Sequence, residues 1–273
     1  MASFSLFDIS LFLVILIGIN KKLCNSFCPR TNLLEKSLIP KSLKMGSRWN
    51  NTWKDILSGG NPRWKVTDEE KHLQALSYFQ KYVKGEPSNT SVFCPLAGDD
   101  PMAYLLFSKG YSVTCIDLVP EAVEEMKNQF GKDESESIWT KEEKDNTIIW
   151  SHVSGRATLM VGDALQSRSE LVNSFDAVYD KDSFGALPIS LRDGFCERIG
   201  EYVRKDGVVY IECKLKENHE EVKNEGPPFS LTGPDLMSYY GKVGFEYVEG
   251  LGEVYELDAF PGVKHTGHAL KRQ

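Results

Sequence analysis

Several acids in this sequence close apolar runs, where a carboxylate can meet a ligand. Asp117 ends the run from Tyr111 to Leu118, Asp163 stands in Gly162-Asp163-Ala164 after Ala157 to Val161, and Asp180-Lys181-Asp182 follows Phe175 to Tyr179. Ahead of them residues 93–102 read FCPLAGDDPM, a strand-like run broken by Leu96-Ala97-Gly98 that passes straight into a helix-like stretch. In an open parallel sheet, ligands bind at the carboxyl ends of the strands, where the first tight turn lets the backbone come close. An acid ending the second strand accepts hydrogen bonds from both hydroxyls of a ribose. Strand, glycine turn, helix, strand and terminal carboxylate, in that order, make the layout of an adenosine site. A dinucleotide site wants G-x-G-x-x-G. This turn supplies one glycine, so an adenosine ligand without a pyrophosphate suits it better.

The elements that must position these residues are legible along the chain. Trp49 and Trp53, four residues apart, share a helical face. Thr67 with Glu70 reads as a capping box, and Leu73, Leu76, Tyr78, Phe79 and Val83 form the stripe of the helix behind it. Strands are expected at Ser91 to Leu96, Tyr111 to Leu118, Ala157 to Val161, Phe175 to Tyr179 and over VVYIECKL, which follows a turn at Asp206-Gly207. Helices are expected at Pro101 to Lys109, Pro120 to Phe130 and Leu191 to Arg204. The charged stretch GKDESESIWTKEEKDNT reads as a solvated surface excursion. Gly226-Pro227-Pro228-Phe229 cannot be regular helix or central strand and makes a rigid apolar lip. A helix capped at Thr232 or Gly233 follows it, and Phe245 to Leu251 and Val254 to Leu257 read as antiparallel edge strands.

Length and charge set the bounds. A chain of 273 residues, 41% hydrophobic, suffices for one α/β domain with additions at its ends. Its net charge of −7 gives no electrostatic case for a nucleic-acid partner; a neutral or cationic small substrate fits better. Cysteines 24, 28, 94, 115, 196 and 213 show no CxxC spacing, so neither a metal site nor a disulfide scaffold is expected. Residues 1–44 differ in character and read as a hydrophobic leader or anchor with its linker, ahead of a folded domain at 45–273. The apolar run Ile9 to Ile19 is short for a membrane span, which needs roughly 20 residues. The expectation is a cytoplasmic catalytic domain, with membrane association through residues 4–19 as an option.

From Trp49 to about Lys271 the chain resembles the thiopurine S-methyltransferase family, which uses S-adenosylmethionine to methylate small molecules. The resemblance rests on WNNTW, CPLAGDDPMAYLLFSKGYSVTCIDL, GDAL, YDKDSFGALPISLR, GPPFSL and a DAF followed shortly by a histidine, all in one order. It implies a Rossmann-like class I methyltransferase fold of the α/β class: a mostly parallel seven-stranded sheet with helices on both faces and an antiparallel edge strand. It also implies a monomer with S-adenosylmethionine as cofactor and S-adenosylhomocysteine as product.

Carried over position by position, the resemblance implies that Trp49 and Trp53 close over the cofactor and that Leu96 lies against it. Asp117 would hold the ribose, while Gly162, Asp163 and Ala164 border the adenine. Lys181 stands where the family has Arg, Asp182 where it has Gly, and Ala97 where it often has Cys. Trp64, Arg192, Pro228, Phe229 and His265 would form the acceptor pocket. A sulfonium methyl is already activated, so placement supplies most of the rate. An aliphatic thiol also needs a base or a nearby cation. Asp180, Asp182 or His265 could be the base and Lys181 or Arg192 the cation, with Asp180, Lys181 and His265 the leading catalytic candidates. The expected activity is methyl transfer to the sulfur of a small thiol. The alternatives are a halide, thiocyanate, other small-anion or metalloid acceptor, or a cofactor-binding module without turnover.

Overall fold

Strands that are apolar on both faces belong at the centre of a sheet covered by helices, and the runs flanking the 96–98 turn are of that kind. In the computed structural model, which describes residues 49, 51–60, 65–131, 138–257 and 260–273, they form β1 (Ser91–Pro95) and β2 (Ser112–Asp117). All described residues fall in the compact unit Lys41–Gln273. The strands that follow are β3 (Trp139–Lys144), β4 (Thr147–His152), β5 (Ala157–Val161), β6 (Phe175–Lys181), β7 (Val203–Lys216), β8 (Phe245–Tyr255) and β9 (Val263–Arg272). They build a sheet in the order β3-β4-β5-β2-β1-β6-β7-β9-β8.

The central strands β5, β2, β1, β6 and β7 run parallel. From β1 the chain moves outward on one side through β2 and β5, then returns past β1 to lay down β6 and β7 on the other. The strand order therefore reverses between β1 and β6, and the carboxyl ends of these two strands part to open a crevice. The acids identified above lie at that edge.

Because side chains alternate across a strand, the two faces of the sheet bury different residues. Val92, Cys94, Val113, Cys115 and Leu159 pack beneath α1 (Glu69–Tyr82), α2 (Met102–Ser108) and α3 (Pro120–Phe130), with Phe79, Leu106 and Met126 fully buried. Phe93, Ile116, Met160, Val178 and Ile211 face the other way. There they meet the short α4 (Ser183–Ala186), α5 (Ile189–Tyr202) and, beyond the four-residue α6 (His219–Val222), α7 (Gly233–Tyr240), through Phe184, Phe195, Ile199, Leu236 and Tyr240. The helix α1 is capped by Asp68 rather than Thr67, because the Asp68 carboxylate accepts the Glu70 amide at 2.9 Å.

Three expectations need correction. The sheet has nine strands, not seven: the supposed solvated excursion contains β3 and turns into β4, and this hairpin extends the sheet beyond β5. Asp145 and Asn146 take the positive φ values (48° and 59°) of a two-residue hairpin turn, and buried Trp139 anchors the hairpin on Phe130 and His152. The strands reversed against the parallel set, β4 and β9, are not at the edges. The residues expected to form two edge strands are the single bulged β8, and β9 lies between it and β7, antiparallel to both. Finally, among the described residues no helix is long and apolar enough to cross a membrane. This overturns the anchored form of the localisation; residues 4–19 lie outside the described residues, as do the leader at 1–44 and Trp64.

Helix α7 follows the Pro-Pro lip, and its first turn is held by a reciprocal pair. Asp235 Oδ2 accepts the Thr232 amide at 2.7 Å, and Thr232 Oγ1 accepts the Asp235 amide at 3.4 Å. Thr232→Ala should cost about 1 kcal/mol, seen as a lower urea midpoint with an unchanged slope; an unaltered midpoint would show that the cap is dispensable.

Candidate active site

The crevice holds a cavity of about 270 Å³ lined largely by apolar atoms. Its first wall is the turn after β1. Leu96 and Gly98 take positive φ (42° and 58°), which a leucine tolerates only under constraint and a glycine without cost. The turn is fixed from three sides: the Ala97 amide donates to the Ile116 carbonyl (3.2 Å), the Gly98 amide to Asp117 Oδ2 (2.9 Å), and the Asp100 amide to the Ala97 carbonyl (3.1 Å). Asp100 then starts α2 by accepting the Met102 amide at 2.8 Å. Trp53, from the helical segment 51–57, lies against Val119 and Ala122, and 3.8 Å separates its ring from the point where a Cβ on Gly98 would sit.

Asp117 lines the cavity at the end of β2. Its second oxygen, Oδ1, accepts the Val119 amide at 2.9 Å. Burial raises this carboxyl above the ordinary carboxylate range, against the opposing pull of the Val119 and Gly98 amides. Each oxygen retains acceptor capacity beyond its one backbone donor. The donor set fits an adenosine cofactor: an acceptor-only group beside a close-approaching backbone, flanked by Leu96, Leu118 and Val119 and covered by Trp49 and Trp53.

The second wall is the end of β6. Asp180 turns inward, fully buried, and accepts the Ser183 amide at 2.9 Å, while the Ser183 hydroxyl donates to the Pro95 carbonyl at 2.7 Å, tying the ends of β6 and β1 together. Asp180 Oδ2 has no partner, and burial pushes this carboxyl up to about 7. Lys181 lines the cavity and pairs with Asp100 at 2.5 Å. Burial raises the Asp100 carboxyl, but the Lys181 ammonium together with the Met102 amide and His72 holds the group below its ordinary value. Asp182 sits at φ 62°, donates its amide to the Glu212 carbonyl (2.8 Å) and pairs through Oδ2 with Lys214.

Behind that wall Glu212 is wholly buried and saturated. Tyr179 and Tyr210 donate to Oε1 at 3.0 Å each, Tyr255 donates to Oε2 at 3.2 Å, and His265 Nε2 lies 2.8 Å from Oε2. The third wall is the lip: Pro227 and Pro228 line the cavity with Phe260. Phe229 points away from it, its amide donating to the Gly185 carbonyl at 2.9 Å and its ring 4.7 Å from the guanidinium of buried Arg192.

Among the residues expected from the sequence, the structure brings Trp49, Trp53, Leu96, Asp117, Lys181 and Pro228 to one cavity. It keeps others off the lining. His265 faces Glu212, Asp180 serves the β6 turn, and Arg192 is sandwiched among Phe184, Phe229 and Tyr239. Gly162 abuts the site by donating its amide to the Asp117 carbonyl at 2.9 Å. Asp163 turns back on the Leu165 amide (2.9 Å), and Ala164 packs with the core on the α5 face. Lys65, Asp99, Asp100 and Lys214 line the cavity without having been singled out. Lys214 was findable: Glu212 and Lys214 lie two apart in an otherwise apolar strand, and a period of two puts them on one face.

A parallel sheet with its crevice at the point of strand reversal, one glycine turn and an acid ending the second strand together define a class I methyltransferase of the Rossmann-like type. The fold is similar to that of a 1,6-didemethyltoxoflavin-N1-methyltransferase from Burkholderia thailandensis, solved with its substrate and S-adenosylhomocysteine (TM-score 0.55, 13% identity, 91% of this chain and 93% of that one). Residues 47–266 match the thiopurine S-methyltransferase family. Thiopurine S-methyltransferases of Psychrobacter cryohalolentis and Legionella pneumophila (strain Corby) are each 25% identical to the chain, over 80% and 70% of its length and 94% and 79% of theirs. The chain belongs to the thiopurine S-methyltransferase family and is an S-adenosylmethionine-dependent methyltransferase.

Asp180 gives a pH test of this geometry. Its folded pKa, about 7, lies above the value of roughly 3.9 for an unfolded Asp, so between these limits the folded state binds more protons. This group's contribution to stability therefore falls as pH rises through that window. Asp180→Asn removes the charge and should gain stability relative to the parent protein as pH goes from 5 to 8, measured by urea unfolding at each pH. A constant difference would show that Asp180 is ionised throughout.

Proposed function

We propose that this enzyme methylates the sulfur of a small-molecule thiol, with Asp117 holding the cofactor's ribose and the acceptor seated against the Pro227–Pro228 lip. Support comes from how the cavity wall divides. The β2 side carries Asp117, Gly98, Leu118 and Val119, and the β6–β7 side carries Pro227, Pro228, Ala186 and Phe260 around paired charges. An apolar wall of that kind favours a nucleophile that is cheap to take out of water, as a sulfur is compared with a strongly hydrated oxygen.

When bound, S-adenosylmethionine supplies a methyl group already activated by its sulfonium. The chain's share is then placement and exclusion of water. Trp49 and Trp53 cover the β2 end, the Asp117–Gly98 bond holds the turn at a set distance from that carboxylate, and the lip closes the opposite end. Of the three candidate bases only Asp182 lines the cavity. An aromatic thiol, the more acidic, gives up its proton without their help; an aliphatic one must lose its proton as the S–C bond forms.

Three measurements test these assignments. Titration calorimetry with S-adenosylhomocysteine should show one site, weakened roughly 10- to 100-fold in Asp117→Ala, the loss expected for charge-assisted hydrogen bonds to the hydroxyls; unchanged affinity would remove Asp117 from the ribose. Mass spectrometry of incubations with 2-mercaptoethanol, thiophenol and a thiopurine should detect the methyl thioethers, and none from any of the three would end the thiol assignment. Arg192→Met should loosen the lip through Phe229 and raise the acceptor KM severalfold with the cofactor affinity retained. Equal losses in both would mean that Arg192 serves the fold as a whole.

A further inference from the structure

The charges in the cavity wall are already paired. Lys65 is bonded to Asp99, Lys181 to Asp100 and Lys214 to Asp182. All six residues line the cavity, and so does Asp117, which has only backbone donors. Among the described lining residues three lysines face four aspartates, a surplus of one negative charge. S-adenosylmethionine carries one net positive charge, so the cavity with cofactor bound is balanced. No lysine among them is left to hold an anionic acceptor.

Asp182 is one of these groups and lines the same cavity as the lip residues Pro227 and Pro228. Its left-handed backbone (φ 62°) is sterically unfavourable for a side chain and persists only when the surroundings impose it. Here the Glu212 carbonyl takes its amide and Lys214, itself 2% exposed, takes Oδ2. The side chain as a whole is 21% exposed, while Oδ1 is itself buried and has no hydrogen-bond partner. Burial opposes its ionisation, but Lys214, His265 and Lys181 together pull the carboxyl below its ordinary value. A fixed carboxylate, ionised and held by Lys214, thus lines one cavity with Pro227 and Pro228.

We propose that Asp182 filters methyl acceptors by charge, admitting neutral and cationic nucleophiles and excluding anions such as halides, thiocyanate and carboxylate-bearing thiols. This deepens the proposed thiol activity and rests on it. A neutral thiol enters with its proton; as the S–C bond forms, the cofactor's C–S bond breaks, the electron pair stays on the cofactor sulfur, and the proton leaves to solvent.

Three thiols of similar size and different charge test it: cysteamine, 2-mercaptoethanol and mercaptoacetate, with iodide as a fourth acceptor. For each, kcat/KM is measured, for the thiols corrected for the fraction with an un-ionised SH group, and its affinity for the complex with S-adenosylhomocysteine is measured by calorimetry. In the parent enzyme mercaptoacetate and iodide should fall at least tenfold below 2-mercaptoethanol by both measures. Asp182→Asn and Asp182→Gly should each raise mercaptoacetate relative to 2-mercaptoethanol tenfold or more, with affinity for S-adenosylhomocysteine kept within about twofold. Asp182→Gly relieves the backbone and leaves Lys214 without its partner, so it should give the larger change. Equal handling of mercaptoacetate and 2-mercaptoethanol by the parent enzyme overturns the filter. So does an unchanged ratio in both variants, or loss of S-adenosylhomocysteine binding in both, which would place Asp182 in the cofactor site. If no thiol is methylated, the thiol assignment fails by itself, and the affinity series still decides: a graded order supports the filter, and equal or absent binding overturns it.

Discussion

The bond from the Gly98 amide to the Asp117 carboxylate is the constraint on which the site depends. It joins the turn after the first strand to the end of the second, so the same carboxylate that faces the cavity also sets the curvature of the backbone beside it. A buried carboxylate is costly unless donors surround it, and here the Gly98 and Val119 amides fill that role. Burial still outweighs them in setting this group's proton affinity. Further donors from a ligand would favour the charged form. Under the proposed ribose assignment, cofactor binding would complete this carboxylate's hydrogen bonding.

On the far side of the crevice, the polar groups are organised in layers. Glu212 gathers three tyrosine hydroxyls and His265 in the interior. The next layer outward is the pair of Lys214 with Asp182, then that of Lys181 with Asp100. Ion pairs of this kind add little net stability, since desolvation offsets their attraction, but removing one partner strands the other at a cost of several kcal/mol. Their effect is geometric: they hold aspartates at the rim while leaving the lining apolar.

Much of the central sheet was readable in the sequence because its signals are local. The run 91–95, the turn at 96–98, the strand ending in Asp117 and the cap at Thr232 each follow from a few neighbouring residues. Two of the strands that were missed, β3 and β9, lack such signals. WTKEEK, in β3, is an edge strand whose charges face water and guard its open side, so it carries no apolar alternation beyond Trp139. VKHTGHALKR, in β9, is interior yet polar: His265 is matched to Glu212, the Thr266 hydroxyl to the Cys213 carbonyl, and His268 to the Tyr247 hydroxyl. Its burial comes from partners far away in the chain. The same limit applies to the site. Asp117 could be placed from its own strand, whereas His265 and Arg192 are a histidine and an arginine whose roles depend on what meets them, and what meets them is Glu212 and a set of aromatic rings.

The position of β9 has a consequence for how the molecule assembles. β8 is made first and runs in the same direction as β7, yet in the finished sheet β9 separates them. During synthesis the open edge of β7 faces a neighbour that can dock on it prematurely, in a parallel arrangement that excludes the rightful occupant. Long-range pairings of this type form slowly and leave edges exposed to mispairing. The bulges that interrupt β8 make it a poor match for a straight edge, and so a weak competitor for the slot that the later segment must fill.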